Sequence, residues 1–230
     1  ALNGSALTDV TYARAGDDAL NGLDGNDPLF GQDGVDTLNG GAGNDDLTGG
    51  DDNDIINGGA GDDTIRWTFG NGTAANNGQD ADDDNDAIDG GADTDRLVIT
   101  GTGGGETLNV DFNGSTITQI EQGGSIVNVE LFTADLLGGT DTIDYSPDTT
   151  AGVSIDLGAG TASGFVSIAG IENANGSSGN DTLRGSGVAN TLTGAGGNDT
   201  LIATVDNVRD TLNGGANTDT ANYAGYAAAL

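Results

Sequence analysis

Apolar side chains recur every nine residues between residues 13 and 66 of this 230-residue chain. The segment divides into six consecutive frames of nine without an insertion, and Leu or Ile fills the eighth place of each frame. These six residues are Leu20, Leu29, Leu38, Leu47, Ile56 and Ile65. A period this regular is typical of a protein built by stacking one short structural unit.

The polar places of the frame predict the shape of that unit. Gly opens most frames and also fills most fourth places, and Asp and Asn surround it. Six residues of this composition form a turn, because Gly accepts positive φ and Asp and Asn tolerate it. The other three form a very short strand with its apolar side chain inward. Two units then close a coil of about 18 residues, and coils stack in parallel about 4.8 Å apart. We therefore expect an all-β solenoid with two facing rows of aliphatic side chains.

Asp holds the sixth place of all six frames, so stacking the coils also stacks carboxylates. Two carboxylates about 5 Å apart repel by roughly 3 kcal/mol at an effective dielectric near 20. Carboxylate and carbonyl oxygens in a flexible, Gly-rich turn are the ligands that Ca²⁺ prefers. The sequence therefore predicts multiple Ca²⁺ sites at these residues: Asp18, Asp27, Asp36, Asp45, Asp54 and Asp63.

Further frames follow along the chain. Residues 81–89 and 90–98 form two more frames, residues 136–144 form a degenerate one, and the last block runs from residue 176 to 222. Their sixth-place residues extend the predicted metal ligands to Asp86, Asp95, Asp141, Asp181, Asp199, Asp210 and Asp219. Asn190 replaces Asp in one frame of the last block, so we expect that site to be weak or empty.

The frame GGAGNDDLT at residues 40–48 resembles the RTX, or haemolysin-type, calcium-binding nonapeptide GGxGxDxUx at every defined place. The resemblance implies a right-handed parallel β-roll with Ca²⁺ in the turns. It also implies that turn carbonyls complete the sites, and the candidates are Gly25, Gly34, Gly41, Ala42, Gly43, Gly59, Gly61, Gly179 and Gly197.

The repeat stops between the blocks, where apolar and polar residues alternate. Leu108, Val110 and Phe112 form one such set, and Val127, Val129 and Leu131 form another. This pattern predicts longer strands with one buried face. We expect three regions: an N-terminal β-roll over 1–98 with an inserted loop near 67–80, a longer-stranded segment over 99–175, and a C-terminal β-roll with an end strand over 176–230. Trp67 and Phe69 beside the loop either cover a seam or bind a glycan or partner.

The composition of the chain excludes several classes of function. The formal charge is −32, with 37 acidic and 5 basic residues, and 33 of the acids are Asp. Direct binding to nucleic acid or an anionic membrane is therefore not expected. The chain has no His and no Cys, which excludes a zinc-protease motif, a Ser-His-Asp triad and disulfides. The acidic residues follow the repeat, so we expect no catalytic residues and no enzyme.

What remains is a structural role outside the cell, where Ca²⁺ is abundant enough for weak sites. We expect a self-assembling surface-layer or extracellular filament subunit that associates through the solenoid ends. The alternative is a monomeric stalk, spacer or adhesion domain of a larger RTX exoprotein, or less favoured, the non-catalytic tail of a secreted hydrolase. The resemblance implies export by a type I system to the bacterial surface or medium.

Overall fold

A computed structural model describes residues 1–69, 85–121, 123–147, 149–205 and 208–223. These residues form 24 β-strands, and no helix occurs among them. The chain divides into two compact units. Unit 1 comprises Ala1–Gly101 and Gln122–Ala134, and unit 2 comprises Thr102–Glu121 and Asp135–Leu230.

Unit 1 contains two parallel sheets, and successive strands along the chain alternate between them. One has the strand order β1-β3-β5-β7-β9-β13, and the other contains β14-β10-β8-β6-β4-β2. The strands are β1 (Leu2–Asn3), β2 (Thr11–Ala15), β3 (Ala19–Asp24), β4 (Pro28–Asp33), β5 (Thr37–Ala42), β6 (Asp46–Asp51), β7 (Ile55–Ala60), β8 (Thr64–Thr68), β9 (Ala87–Ala92), β10 (Arg96–Thr100), β13 (Ile126–Val127) and β14 (Leu131–Asp135).

Unit 2 repeats this plan with shorter strands. Its sheets have the orders β12-β11-β15-β19-β21-β23 and β17-β16-β20-β22-β24, and β18 accompanies them. Pairing is parallel except that β12 and β17, the outermost strands, pair antiparallel. The strands are β11 (Thr107–Phe112), β12 (Ile117–Ile120), β15 (Thr142–Asp144), β16 (Ser154–Asp156), β17 (Thr161–Ala162), β18 (Phe165–Ala169), β19 (Asn173–Asn175), β20 (Thr182–Arg184), β21 (Thr191–Thr193), β22 (Thr200–Ile202), β23 (Thr211–Asn213) and β24 (Thr220–Asn222).

The core consists of the eighth-place side chains, as the repeat predicts. In one sheet of unit 1 Leu20 pairs with Leu38, and Leu38 pairs with Ile56, each step being one coil of 18 residues. In the other sheet Leu29 pairs with Leu47 in the same way. All of these side chains are at most 1% exposed. The predicted β-roll, or β-solenoid, is confirmed.

The strands of the first roll are longer than the three residues expected from the frame. Strands β2 to β10 contain five or six residues, whereas strands of three occur in the C-terminal roll. The reason is that pairing continues past the eighth place through second-place residues such as Leu23 and Gly41, which pair at positive φ. The left-handed backbone there turns the chain without ending the hydrogen-bonded ladder.

The segment between the repeat blocks differs partly from its predicted pattern. Leu108 and Val110 are buried in β11, as expected. Val127 is not: its side chain is 46% exposed and Ile126 is buried in its place. The alternation fails because the strand ends at Val127, directly before Asn128, whose φ is 53°. Within this segment, residues 122–134 belong to unit 1, and residues 102–121 and those from 135 onward belong to unit 2. The predicted division into three regions stays a prediction.

Two predicted features lie wholly or partly outside the described residues. Trp67 belongs to β8, and its ring meets the ring of buried Phe69 edge-on at 4.7 Å between centroids. The inserted loop predicted near 67–80 otherwise falls on residues 70–84, which are not described. The predicted C-terminal end strand falls on residues 224–230, which are likewise not described.

Candidate metal centre

The sixth-place carboxylates are joined into rows by one recurring hydrogen bond. The backbone N–H of each sixth-place residue donates to the carboxylate one coil further along the chain. Asp27 donates to Asp45 Oδ1, Asp45 donates to Asp63 Oδ1, and each bond is 2.8 Å long. The bond persists across the undescribed insertion, because Asp63 donates to Asp95 Oδ1 at 2.8 Å although 32 residues separate them.

The same bond organises the other predicted ligands. Asp18 donates to Asp36 and Asp36 donates to Asp54, in each case at 2.7 Å. Asp54 in turn donates to Asp86 at 2.8 Å. In unit 2 the corresponding donor–acceptor pairs are Asp181 to Asp199 at 2.9 Å, Asp199 to Asp219 at 3.1 Å and Asn190 to Asp210 at 3.0 Å.

Eight of the sixth-place carboxylates have a second oxygen that is buried and accepts no hydrogen bond. A buried carboxylate oxygen in this state is strongly unfavourable unless a cation compensates it. Ion pairs of the described residues join Arg66 to Asp46 and Arg184 to Asp156, and neither acid holds a sixth place. The oxygens in question are the Oδ2 atoms of Asp27, Asp36, Asp45, Asp63, Asp95, Asp141, Asp199 and Asp210.

Burial makes these carboxylates hard to ionise without a cation. Desolvation raises the pKa of Asp45 to about 6 and that of Asp63 to about 7. The accepted backbone hydrogen bond lowers each pKa by less than burial raises it, and repulsion from neighbouring Asp side chains adds to the rise. Burial also raises the pKa of four further sixth-place residues, namely Asp36, Asp95, Asp181 and Asp199.

Glycines leave room for oxygen atoms around each carboxylate. A Cβ added to Gly40 would collide with Asp45 Oδ2 and meet the carbonyl oxygen of Gly58 at 2.5 Å. A Cβ added to Gly43, whose φ is 128°, would collide with the carbonyl oxygen of Gly25. Backbone oxygens therefore approach the frame closely beside the unpartnered carboxylate oxygens, and only glycine permits this.

The predicted carbonyl ligands occupy two kinds of position. The carbonyl oxygens of Gly41, Gly43, Gly59 and Gly179 each point at the glycine one coil further on, in the same way as that of Gly25. The carbonyl of Ala42 instead accepts a 2.7 Å hydrogen bond from the N–H of Gly25. The first-place carbonyls, such as that of Gly58, were not among the predicted ligands although they lie beside the carboxylates. The roles of all these carbonyls, including those of Gly34, Gly61 and Gly197, stay predictions.

Three further members of these rows are glutamates, and they were missed because their coils break the nine-residue period. Glu130 Oε2 accepts the N–H of Asp95 and Glu172 Oε2 accepts the N–H of Asp141, each at 2.9 Å. Glu106 donates its own N–H to Asp141 Oδ1 at 2.7 Å. The signal was present, since each Glu stands two residues before a buried core residue: Leu108, Phe132 and Ala174.

Fifth-place side chains accept a second row of hydrogen bonds, which the nine-residue pattern did not predict. Asn44 Oδ1 accepts the N–H of Asp62, one coil on, at 3.1 Å, and Asn26 Oδ1 accepts that of Asn44 at 2.9 Å. These bonds run opposite to those of the sixth place. Each turn is therefore tied to both of its neighbours by adjacent side chains.

Asn190 has a different bonding pattern from its Asp counterparts. Its Nδ2 donates to the carbonyl oxygen of Glu172 at 2.6 Å, and its Oδ1 accepts the N–H of Ser186 at 2.6 Å. An amide donor here cannot serve as a cation ligand. This supports the expectation of a weak or empty site at this frame.

The donor set fits a hard divalent cation of the calcium type. Within the described ranges, no group of three or more acidic side chains converges as a metal site. One or two carboxylates, backbone carbonyls and water are the oxygen ligands that these turns offer a cation. Ca²⁺ accepts six to eight such oxygens in flexible geometry, which suits Gly-rich turns better than the strict octahedron of Mg²⁺.

Comparison with known families agrees with this assignment. The family model described as "RTX calcium-binding nonapeptide repeat (4 copies)" matches residues 3–38, 30–65 and 169–207. A comparison with curated proteins found no significant match. The described part of the chain contains no helix long and apolar enough to cross a membrane. The matched segments thus carry calcium-binding repeats of the RTX nonapeptide type, in a chain whose described residues form a β-roll. Such repeats are structural rather than catalytic and are typical of secreted proteins exported by type I systems.

Proposed function

We propose that this protein is a secreted structural subunit that folds on binding several Ca²⁺ ions and then assembles into a surface layer or extracellular filament. The observation that carries the calcium-dependent part is the row of buried carboxylate oxygens without hydrogen-bond partners. Their charges repel one another along each row until cations neutralise them. Folding and calcium binding are then one coupled event, because the sites do not exist in the unfolded chain.

Coupling of this kind suits export. In a cytosol with little Ca²⁺, the carboxylates repel and the two-row core is too thin to hold the chain together. Outside the cell, extracellular calcium modules work at about 0.1–1 mM, and the chain folds where it is needed. The proposed location is the bacterial cell surface or the surrounding medium.

The assembly part of the proposal rests on the outermost strands. Among the described residues, β1 and β2 are outermost in the two sheets of unit 1, and β23 and β24 are outermost at one side of the two sheets of unit 2. Parallel edge strands of a solenoid are templates for pairing with another chain. Two copies that pair end to end would continue both sheets and both carboxylate rows.

A monomeric stalk, spacer or adhesion domain is the second candidate. The antiparallel strands β12 and β17 favour it, because they occupy the other outermost positions in the sheets of unit 2. The strand β17 has only two residues and the pairing of β12 with β11 is irregular at Phe112, and very short or irregular outermost strands hinder further pairing. A spacer needs closed edges at both ends, whereas a polymer needs at least two that are open.

Size-exclusion chromatography with light scattering distinguishes these functions. The protein is run first in chelator and then in millimolar Ca²⁺. We expect an expanded monomer in chelator and a compact polymer in Ca²⁺. A compact monomer in Ca²⁺ would support the spacer and contradict the filament, and a compact species in chelator would contradict calcium-dependent folding itself. Removal of residues 223–230 is the accompanying variant: polymers that form unchanged without this segment would exclude it from the assembly contact.

A further inference from the structure

The carboxylate row of unit 2 begins with a pair outside the matched repeats. Glu106 precedes β11 and Asp141 precedes β15, and β11 and β15 are neighbouring parallel strands. Neither residue lies in the segments that match the RTX nonapeptide, which are 3–38, 30–65 and 169–207. The backbone links them as it links two ladder aspartates, because the N–H of Glu106 donates to Asp141 Oδ1 at 2.7 Å.

Both carboxyl groups are buried and each has one oxygen without a partner. Glu106 is 3% exposed and Asp141 is 0% exposed. Glu106 Oε1 accepts the hydroxyl of Thr102, whereas Glu106 Oε2 and Asp141 Oδ2 have no hydrogen-bond partner. Two buried, adjacent carboxyl groups with unpartnered oxygens require a cation if both are ionised.

Backbone oxygens complete the surroundings of this pair. A Cβ added to Gly139 would collide with the carbonyl oxygen of Gly104 and lie 3.2 Å from Asp141 Oδ1. This is the contact that Gly43 makes with Gly25 in the first roll. The carbonyl oxygen of Thr140 lies 3.1 Å from the position of a Cβ on Gly105. The pair is thus set among carbonyl oxygens, as the sixth-place aspartates are.

We propose that Glu106 and Asp141 form an additional Ca²⁺ site at the first coil of unit 2, in which a glutamate supplies one of the two carboxylates. The inference rests on the proposed calcium-dependent function and adds ligands to it. Glu106 and Asp141 are 35 residues apart in the sequence, whereas the linked residues of regular coils are 18 apart. In this longer coil, the longer side chain of glutamate supplies the ligand oxygen. The site ties the start of β11 to the start of β15, two strands that neighbour each other in the sheet although three other strands separate them in the sequence.

Long-wavelength X-ray diffraction from the wild-type protein crystallised with Ca²⁺ tests the site directly. We expect an anomalous peak about 2.3–2.6 Å from both Glu106 Oε2 and Asp141 Oδ2, the usual Ca²⁺–oxygen distance. Peaks along the nonapeptide rows without one at this pair would overturn this site alone. No peak anywhere would overturn the site and the proposed function together.

Native mass spectrometry of variants gives an independent count. Glu106→Gln keeps an oxygen that accepts the Thr102 hydroxyl but removes the charge, and we expect one bound Ca²⁺ fewer than in the wild type. Thr102→Val removes the hydroxyl and keeps both carboxylates, so its count should equal that of the wild type. Asp24→Asn, at an exposed position in β3, controls for the loss of one acidic charge. An unchanged count in Glu106→Gln would contradict the site, and the diffraction experiment decides the matter if that variant does not fold.

Discussion

Unit 1 and unit 2 build their carboxylate rows from coils of different length. In unit 1 the residues joined by the ladder bond are mostly 18 apart, as in Asp27 and Asp45. In unit 2 the first two steps of one row are 35 and 31 residues and a later step of that row is 20 residues, whereas a step of the other row is 18. The hydrogen bond itself is 2.6–3.1 Å in both units. The sixth-place acid and the eighth-place core residue therefore define the coil, and the loops between them absorb any difference in length.

The units also differ in what fills the two defining places. Unit 1 uses large aliphatic residues in its core and Asp in nearly all its sixth places, with Glu130 in its last coil. Unit 2 accepts Glu172 and Asn190 in the sixth place and Ala174 in the core. If each calcium site stabilises its own coil, removal of calcium should destabilise the coils of unit 1 to similar extents and those of unit 2 to different extents.

The largest expected effect is a pH dependence of the calcium-free protein. Asp45 and Asp63 have folded-state pKa values of about 6 and about 7, against 3.8 for an ordinary Asp. A raised pKa means that the folded state binds more protons, so the free energy of unfolding falls as the pH rises from about 4 to about 7. One pKa unit corresponds to about 1.4 kcal/mol, so Asp45 alone accounts for about 3 kcal/mol.

Urea unfolding of resin-stripped protein at pH 4.5 and pH 7.5 measures this effect. We expect a cooperative urea transition at pH 4.5 without Ca²⁺, and at pH 7.5 we expect one only after saturating Ca²⁺ is added. Hydrogen exchange resolves the two units, and both should gain, because burial also raises the pKa of Asp181 and Asp199 in unit 2. Greater calcium-free stability at pH 7.5 would show that the carboxylates are not desolvated as described.

A matched pair of glycine substitutions gives the next largest effect. Gly43 and Gly16 both hold the fourth place at positive φ. A Cβ on Gly43 would strike the Gly25 carbonyl, whereas a Cβ on Gly16 would meet nothing within 4 Å. We expect Gly43→Ala to cost about 4 kcal/mol in calcium, the scale of a backbone clash, and Gly16→Ala about 1 kcal/mol from φ strain alone. Equal losses in thermal unfolding would mean that close stacking of the turns does not matter.

Asn190→Asp tests the irregular site of unit 2. The change replaces the amide that donates to the Glu172 carbonyl with a carboxylate oxygen facing that carbonyl. At the lowest Ca²⁺ concentration that folds the protein we expect a loss of about 2 kcal/mol, because a buried hydrogen bond is replaced by repulsion. In millimolar Ca²⁺ the loss should shrink or reverse, since the variant carries the carboxylate that the other frames use. Equal losses in both conditions, measured by thermal unfolding, would show that no cation site can form at this frame.

The smallest expected effect concerns the exposed ion pairs. Arg66 Nε lies 2.6 Å from Asp46 Oδ1, and the two side chains are 48% and 37% exposed. Arg66→Gln should change the free energy of unfolding by at most about 0.5 kcal/mol, because solvent screens exposed pairs. Arg184→Gln, which breaks the pair with Asp156 in unit 2, is the matched variant. A loss of several kcal/mol in either would indicate that arginines, rather than cations, balance the acidic rows.

The sequence alone predicts most of the fold because two places in each frame determine it. Leu20 to Ile65 and the sixth-place aspartates beside them follow a single period, and the structure stacks them at that period. The glutamates at 106, 130 and 172 escaped prediction because their coils break the period, although the spacing from acid to core residue is kept. The exposure of Val127 also escaped, since it depends on a positive φ at Asn128 that strand alternation does not reveal.

Hydrogen exchange of the ladder amides in Ca²⁺ and in chelator tests the central claim most directly. The N–H groups of Asp27, Asp45 and Asp63 in unit 1 and of Asp181 in unit 2 donate to the carboxylates that we assign to calcium. We predict strong protection of all four in millimolar Ca²⁺ and its loss in chelator at neutral pH. Equal protection in both conditions would contradict the claim that calcium holds the carboxylate rows together.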